Sequence, residues 1–215
     1  MKWTKKGHEL DAVFRKMQEK EIFYIFGAGD YGRQFYQMMK DEIAIAGFID
    51  NNPDKQGQKL YGHTIYKLSE IKCGGDIGII VSVSQLARSS VVGQLQEMGY
   101  AEENDYFRME QFLSVWHVYL YDKVYFMSVS MLPSTACNLN CELCLNFNPY
   151  ASKTDVRRLE QVKEDIDLFF ECVDYVMLYH VSGGEPFLYP HFAEVIEYLG
   201  TKYRHRILTL RTVTN

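Results

Sequence analysis

Apolar runs alternate with helical patterns through the first half of the chain. The run Ile22–Phe26 ends in a glycine-rich turn, and apolar residues at three- and four-residue spacing follow it. Ile43–Ile49 and Asp76–Val83 predict two further strands, a helix pattern follows the later one, and an amphipathic helix is predicted over residues 7–19. Strands that alternate with helices form a parallel sheet with helices on its faces, so the pattern predicts an α/β domain of about four strands.

The same alternation restarts from His117 and continues to the end of the chain. A helix pattern with Phe107 and Phe112 closes the first domain, which we place at residues 1–116 as a Rossmann-like nucleotide-binding domain. Residues 117–215 then form a second α/β domain. Its predicted elements are a strand at Tyr125–Met131, a polar loop, a helix with Val156, Leu159, Val162, Ile166 and Phe169, a strand at Tyr175–Tyr179, a helix with Phe192, Val195, Ile196 and Leu199, and a strand at Ile207–Val213.

Composition and charge narrow the class of protein. With 47% hydrophobic residues in 215, the chain has ample material for buried cores, which excludes a disordered protein. The net charge of −5 provides no basic field for a phosphate backbone, so we expect a small-molecule or peptide substrate and no nucleic acid. No apolar run reaches the roughly 20 residues that span a bilayer, and the charged N-terminus lacks a signal peptide. We therefore expect a cytoplasmic protein that does not bind membranes.

The first glycine turn has the spacing GxGxxG at Gly27, Gly29 and Gly32, between a predicted strand and a predicted helix. In a dinucleotide fold the first glycine permits a tight turn, the second lets phosphate approach, and the third lets helix and strand pack closely. The helix N-terminus favours an anion. Asp50 ends the next predicted strand and is placed to accept hydrogen bonds from a ribose diol. A glycine turn in an α/β domain without a ligand is the alternative.

The first domain resembles the small Rossmann-like domains that precede sugar acyltransferases and some nucleotide-sugar modifying enzymes. The resemblance is carried by residues 25–32 and 47–53 with Lys55, Gly57 and Gly62. It implies a nucleotide or NDP-sugar at the first glycine turn, with NAD(P) as a second possibility. Three polar residues follow the later strand and are predicted at the same edge of the sheet, where the arginine could contact a second phosphate; they are Ser82, Ser84 and Arg88.

Three cysteines lie in the polar loop of the second domain. Cys137, Cys141 and Cys144 form a CxxxCxxC motif, which suits a metal site better than a disulfide framework. Three thiolates on an iron-sulfur cubane would leave one iron open for chemistry. A structural zinc site with a fourth ligand such as His180 or His191, or three incidental thiols, are the alternatives.

A second glycine turn follows the strand Tyr175–Tyr179. Gly183 and Gly184 permit close approach of the backbone to a ligand, and Glu185 supplies a carboxylate suited to an ammonium group. An ordinary connection between a strand and a helix that starts near Pro186 is the alternative.

Together, the cysteine motif and the second glycine turn resemble the radical SAM superfamily. The resemblance implies that the three cysteines hold a 4Fe-4S cluster and that the open iron chelates S-adenosylmethionine, whose amino group Gly183, Gly184 and Glu185 would contact. It further implies an electron donor such as flavodoxin or ferredoxin, and a 5′-deoxyadenosyl radical. The fold implied is the start of a partial (βα)6 barrel behind the N-terminal parallel sheet.

The chain departs from that family in two respects. Leu143 stands where the family usually has an aromatic residue, which bears on packing of the adenine. Of the roughly six strand-helix units of the family's barrel, only about two and a half are present, although Thr214–Asn215 resembles the start of the Thr-Asn-Gly that ends the third strand. We therefore expect a truncated radical SAM domain, enzymatic at full length and inactive as 215 residues.

Two other interpretations remain open. In the first, the N-terminal domain is the functional unit, a nucleotide, NDP-sugar or NAD(P) binding module with an inactive cysteine loop. In the second, the chain is an NAD(P)-dependent dehydrogenase with a structural zinc loop, although no hydride-transfer pair is evident. No single side chain of the chain is predicted to be catalytic.

Overall fold

A computed structural model describes residues 8–72, 74–150 and 154–214. These residues fold as two compact units, one up to Tyr119 and the other from Leu120 onward. The predicted boundary between residues 116 and 117 lies inside a helix, which runs from Met109 to Tyr121.

The first unit contains a mixed six-stranded sheet with helices. Its elements in chain order are α1 (Asp11–Gln18), β1 (Ile22–Phe26), α2 (Asp30–Met39), β2 (Ile45–Ile49), β3 (Lys59–Leu60), β4 (His63–Tyr66), β5 (Ile77–Val81), α3 (Gln85–Glu97), β6 (Tyr106–Arg108) and α4 (Met109–Tyr121).

Strand order explains where this sheet can hold a ligand. The order is β3-β4-β2-β1-β5-β6, with every pair parallel except the antiparallel pair β3 and β4. The connections run outward from β1 in both directions, so the order reverses between β1 and β5. In parallel α/β sheets, such a reversal opens a crevice at the carboxyl ends of the strands.

Apolar side chains on both faces of β1 fix the helices against the sheet. Phe23 on one face meets the ring of Phe112 from α4, which also packs edge-on against Phe35 from α2. Phe26 on the other face belongs to a buried cluster with residues of α3, among them Leu95. Burial of these aromatic and aliphatic groups on two faces stabilises a three-layer α/β unit.

Three strands of the first unit were not expected from the sequence. The β3–β4 hairpin turns at Tyr61 and Gly62, which have φ of 52° and 86°, the left-handed values that a two-residue hairpin turn requires. Phe107 was predicted in a helix and instead lies buried in β6, next to β5. The prediction of a wholly parallel sheet of about four strands was therefore wrong in strand number and in the direction of the edge strand.

The second unit contains a three-stranded parallel sheet in the order β7-β8-β9. Its elements are β7 (Tyr125–Met131), α5 (Leu159–Cys172), β8 (Tyr175–Val181), α6 (Phe192–Lys202) and β9 (Ile207–Thr212). The helices contribute to one buried core with the sheet, which includes Val162, Ile166, Phe170, Tyr179, Val181, Val195 and Leu199. The unit is thus α/β, while its continuation into a barrel stays a prediction.

Two details of this unit differ from the expected pattern. Val156 was predicted on the helix but precedes it, is half exposed, and forms an isolated antiparallel bridge with Ser134. The strand β8 continues to Val181, so His180 belongs to the strand and not to the glycine turn.

None of the helices in the described part of the chain is long and apolar enough to cross a membrane.

Candidate functional site at the carboxyl edge of the first sheet

Two glycines of the first turn are required by packing. Gly27 has a φ of 118°, and a Cβ there would lie 2.4 Å from the carbonyl oxygen of Ser82. A Cβ on Gly32 would lie 1.8 Å from the carbonyl oxygen of Gly27. A side chain at either position would force the strand, the turn and the first turn of α2 apart.

Gly29, the middle glycine, has a different environment. It is the N-cap of α2, with ordinary extended backbone (φ −96°), and a Cβ there would meet no atom within 4 Å. Packing of the described residues therefore does not require glycine at this position. The space beside it is open and borders the start of α2, where the first N–H groups of a helix have no partner within the helix.

That open space is part of a cavity of about 440 Å³ at the crevice between β1 and β5. Residues at the ends of β1, β2 and β5 and at the starts of α2 and α3 line it. They are Phe26, Gly27, Gly29, Asp30, Tyr31, Asp50, Asn51, Lys55, Ser82, Val83, Ser84, Ala87 and Val91.

Asp50 joins the end of β2 to the glycine turn. Its carboxylate accepts hydrogen bonds from the backbone N–H of Ala28 and of Asn52, both at 2.9 Å, and from Lys55 Nζ at 3.1 Å. Burial alone would raise the pKa of Asp50, but the hydrogen bonds from Asn52, Ala28 and Lys55 outweigh burial and hold the pKa below its ordinary value. The predicted ribose acceptor thus lines the cavity while one of its oxygens already holds the turn.

On the β5 side of the cavity, Ser82 is a buried polar residue. The residue is 2% exposed, and its Oγ has no hydrogen-bond partner among the residues that the structure describes. Ser84 is exposed just before α3.

Arg88, predicted as a second phosphate contact, does not line this cavity. Its guanidinium pairs with Glu110, and both line a separate polar cavity of about 650 Å³. The remaining residues lining that second cavity are Glu102, Glu103, Arg108 and Gln111.

In the second unit, the cysteine motif lies on a loop whose two ends are joined by hydrogen bonds. Thr135 N–H donates to the Asp155 carbonyl at 2.8 Å, and Asp155 N–H donates to Thr135 Oγ1 at 2.7 Å. These bonds hold together the two ends of a loop that leaves β7 and returns toward α5. The cysteines lie within this closed loop.

The three thiols of this loop are free, with Cys141 exposed and Cys137 and Cys144 partly exposed. Over residues 8–72, 74–150 and 154–214, no three His, Cys, Asp or Glu side chains gather into a group that could hold a metal ion. As arranged, the side chains therefore do not fit an iron-sulfur cluster or a zinc ion, although their thiol chemistry is of the right kind.

The second glycine turn packs against the start of the cysteine loop. A Cβ on Gly183 would lie 2.3 Å from the Ser134 carbonyl oxygen, and a Cβ on Gly184 would lie 2.1 Å from that of Ala136. Asn146 donates from its side chain to the Gly183 carbonyl. No sequence signal marks Asn146, because the contact joins residues 37 positions apart.

Glu185 and the two histidines have distinct surroundings. The Glu185 carboxylate is buried and accepts from Phe187 N–H at 3.1 Å and from Thr214 Oγ1 at 2.7 Å. His180 has a buried Nε2 without a partner in the described chain, and burial, with the charge of Arg211, lowers its pKa. His191 is partly exposed and pairs with Glu194. Asn215, predicted beside Thr214 in the strand ending, lies outside the described residues.

The family model that matches the chain lies within the first unit. Residues 17–104 match the family model described as C2185-like, N-terminal. The redox-sensing transcriptional repressor Rex of Brevibacillus brevis is 34% identical over 106 residues, which cover 43% of this chain and 51% of the repressor. The chain thus spans about half the length of this curated relative.

One solved structure, described as RSP in complex with beta-NADH, is 14% identical in sequence. It covers 49% of this chain and 61% of its own, with a TM-score of 0.34, which is too low to establish a shared fold.

Proposed function

We propose that the first unit is a nucleotide-binding module whose ligand is a dinucleotide of the NAD(H) type. The observation that carries the proposal is the position of Gly29. It borders the cavity at the β1/β5 crevice, where packing leaves room for a side chain that the sequence does not supply. A diphosphate in that room would meet the N–H groups at the start of α2.

The charges of the cavity determine how a diphosphate would be held. Asp30 and Asp50 contribute carboxylates, and Lys55, which is paired with Asp50, contributes an ammonium group. Because this lining carries no net positive charge, recognition of the anion would depend on backbone N–H groups and the dipole of α2.

The similarity to the Rex repressor also supports a redox-active ligand. That protein is described as redox-sensing, and a nicotinamide dinucleotide exists in an oxidised and a reduced form. An NDP-sugar is the competing ligand for the same cavity, since its diphosphate would use the same turn.

Titration of the full chain with NADH, NAD⁺ and UDP-glucose, followed by calorimetry, tests the proposal. We expect NADH or NAD⁺ to bind and the variant Gly29→Val to weaken that binding by about tenfold or more, because its side chain fills the phosphate position. Gly93→Ala is the control: Gly93 lies in α3, has open space around it, and does not line the cavity.

The titrations distinguish a different ligand from the absence of a nucleotide site. Binding of UDP-glucose in place of NADH would reassign the ligand to the NDP-sugar class. Absence of binding by all three compounds, or equal binding by wild type and Gly29→Val, would overturn the proposal.

A second candidate function, a radical SAM activity on a small-molecule or peptide substrate, is proposed for the second unit. It is supported by the contact between the cysteine loop after β7 and the glycine turn after the adjacent parallel strand β8. Since the thiols are not gathered, we derive no chemical step through a cluster or S-adenosylmethionine.

Metal analysis of the full chain after anaerobic reconstitution tests this candidate. About four irons with matching sulfide would support it. The triple variant Cys137→Ala/Cys141→Ala/Cys144→Ala should then lose the iron, while Cys172→Ala in α5 should keep it. One zinc per chain would favour a structural metal site, and either zinc or no metal would overturn the radical SAM proposal.

A further inference from the structure

Ser82 occupies a special place in the cavity of the first unit. It follows β5 directly, its N–H donates to the Phe26 carbonyl at 2.9 Å, and its own carbonyl oxygen blocks any side chain on Gly27. The residue therefore forms the β5 wall of the crevice, opposite the glycine turn.

The Ser82 hydroxyl is buried without a partner in the part of the chain that the structure describes. A buried hydroxyl without a hydrogen bond costs free energy, and alanine at this position would avoid that cost. Because the same residue lines the cavity, rotation of its side chain to another staggered rotamer would present the hydroxyl to a ligand there, which can supply the missing partner.

The neighbours of Ser82 indicate the chemistry of that partner. Apart from the exposed Ser84, the neighbours on this wall are the apolar Val83, Ala87 and Val91, whereas the charged groups lie on the opposite wall at Asp30, Asp50 and Lys55. A charged phosphate oxygen would be poorly solvated beside apolar groups, but a neutral hydroxyl can be buried once it is hydrogen-bonded.

We propose that Ser82 Oγ binds a ribose hydroxyl of the second nucleotide half of a dinucleotide, and so distinguishes a dinucleotide from a nucleoside diphosphate. This inference rests on the proposed function. The diphosphate lies at Gly29 in the middle, the first ribose lies toward Asp50 at the end of β2, and the second lies against β5.

The test compares wild type with Ser82→Ala in the full chain, using NADH and ADP as probes and urea unfolding without ligand. We expect Ser82→Ala to weaken NADH binding by about 5- to 10-fold, the effect of one net hydrogen bond, and ADP binding by less than about twofold. Without ligand, the variant should be at least as stable as wild type. Ser89→Ala, in α3, exposed and outside the cavity lining, is the control and should change neither quantity.

Three results would overturn the inference. They are unchanged NADH binding by Ser82→Ala, equal loss for NADH and ADP, and a loss of stability without ligand, which would make Ser82 a packing residue. Failure of wild type to bind NADH would instead count against the proposed function, so the two failures are distinguishable.

Discussion

The three glycines of the first turn are alike in sequence and differ in what surrounds them. The space of a Cβ is filled by backbone at Gly27 and Gly32 and is open at Gly29. The first two positions are therefore explained by folding alone. Only the middle position calls for a ligand, which makes it the informative residue for function.

At Gly32 we expect a folding defect. Gly32→Ala places a methyl group against the Gly27 carbonyl oxygen and should lower the free energy of unfolding by about 1–3 kcal/mol or more. Urea denaturation measures this change, with Gly93→Ala as the control. Identical urea midpoints for Gly32→Ala and wild type would contradict the packing described for this turn.

At Asp50 we expect a pH-dependent effect on stability. The folded-state pKa lies below the ordinary value, so the carboxylate stabilises the fold fully above about pH 4 and loses that contribution as pH falls through the folded pKa. Asp50→Asn should cost about 1–3 kcal/mol at pH 7, and the difference from wild type should shrink below about pH 4.

Asp54→Asn is the matched control for this experiment, because Asp54 lies in the same exposed loop and its carboxylate has no hydrogen bond within the described chain. Urea unfolding across the pH range gives both curves. A difference between Asp50→Asn and wild type that stays constant from pH 7 into the acid range would contradict the hydrogen-bonded role of this carboxylate.

At the scale of elements, the C-terminal end of α5 depends on one arginine. Arg206 donates to the Phe170 carbonyl at 2.6 Å, to the Asp174 carbonyl at 3.0 Å, and also to Val173. Its guanidinium lies 5.0 Å from the centre of the Phe170 ring. A planar guanidinium can donate to several carbonyls at and just after the end of α5 while it also packs on the Phe170 ring, which an ammonium group cannot do.

Arg206→Lys should therefore destabilise the second unit by about 1–2 kcal/mol, from the loss of charged hydrogen bonds. Thermal unfolding followed by circular dichroism measures the loss. The control Arg211→Lys changes an exposed arginine on β9. Equal unfolding temperatures for the two variants would refute the capping role of Arg206.

The sequence predicted those elements whose side chains follow a clear period. β1 and β7 fall within the limits expected, because β1 is an apolar run between Glu21 and Gly27 and β7 ends in alternating apolar and polar residues shortly before Pro133. The hairpin of β3 and β4 and the three-residue β6 were not predicted, since strands of two to four residues contain at most two repeats of the alternating pattern. Their pairing depends on neighbours distant in the chain.

The candidate site, too, was predicted only in part from the sequence. The sequence predicted the glycines of the first turn because their spacing between a strand and a helix is that of a dinucleotide-binding turn. The sequence did not predict the hydrogen bond from Ala28 N–H to the Asp50 carboxylate or the unpartnered hydroxyl of Ser82. Both arise from tertiary packing between strand ends that are adjacent in the sheet and distant in sequence.

At the scale of the whole molecule, the net negative charge of the chain disfavours the binding of an anionic ligand. The chain has a net charge of −5, and the cavity contributes two carboxylates against one ammonium group. We expect that raising the salt concentration does not weaken NADH binding, because salt screens repulsion as well as attraction. Calorimetric titrations at low and high salt measure this effect. A steep loss of affinity with salt would indicate a basic site elsewhere on the chain.

Hydrogen exchange of the full chain, followed by mass spectrometry with and without saturating NADH, tests nucleotide binding at the β1/β5 crevice most directly. We expect slower exchange in peptides that contain the glycine turn at 27–32, the end of β2 at 50–55 and the end of β5 at 82–88, with no change at 137–150. Unchanged exchange in all three cavity segments, or protection confined to the second unit, would contradict a nucleotide site at this edge of the first sheet.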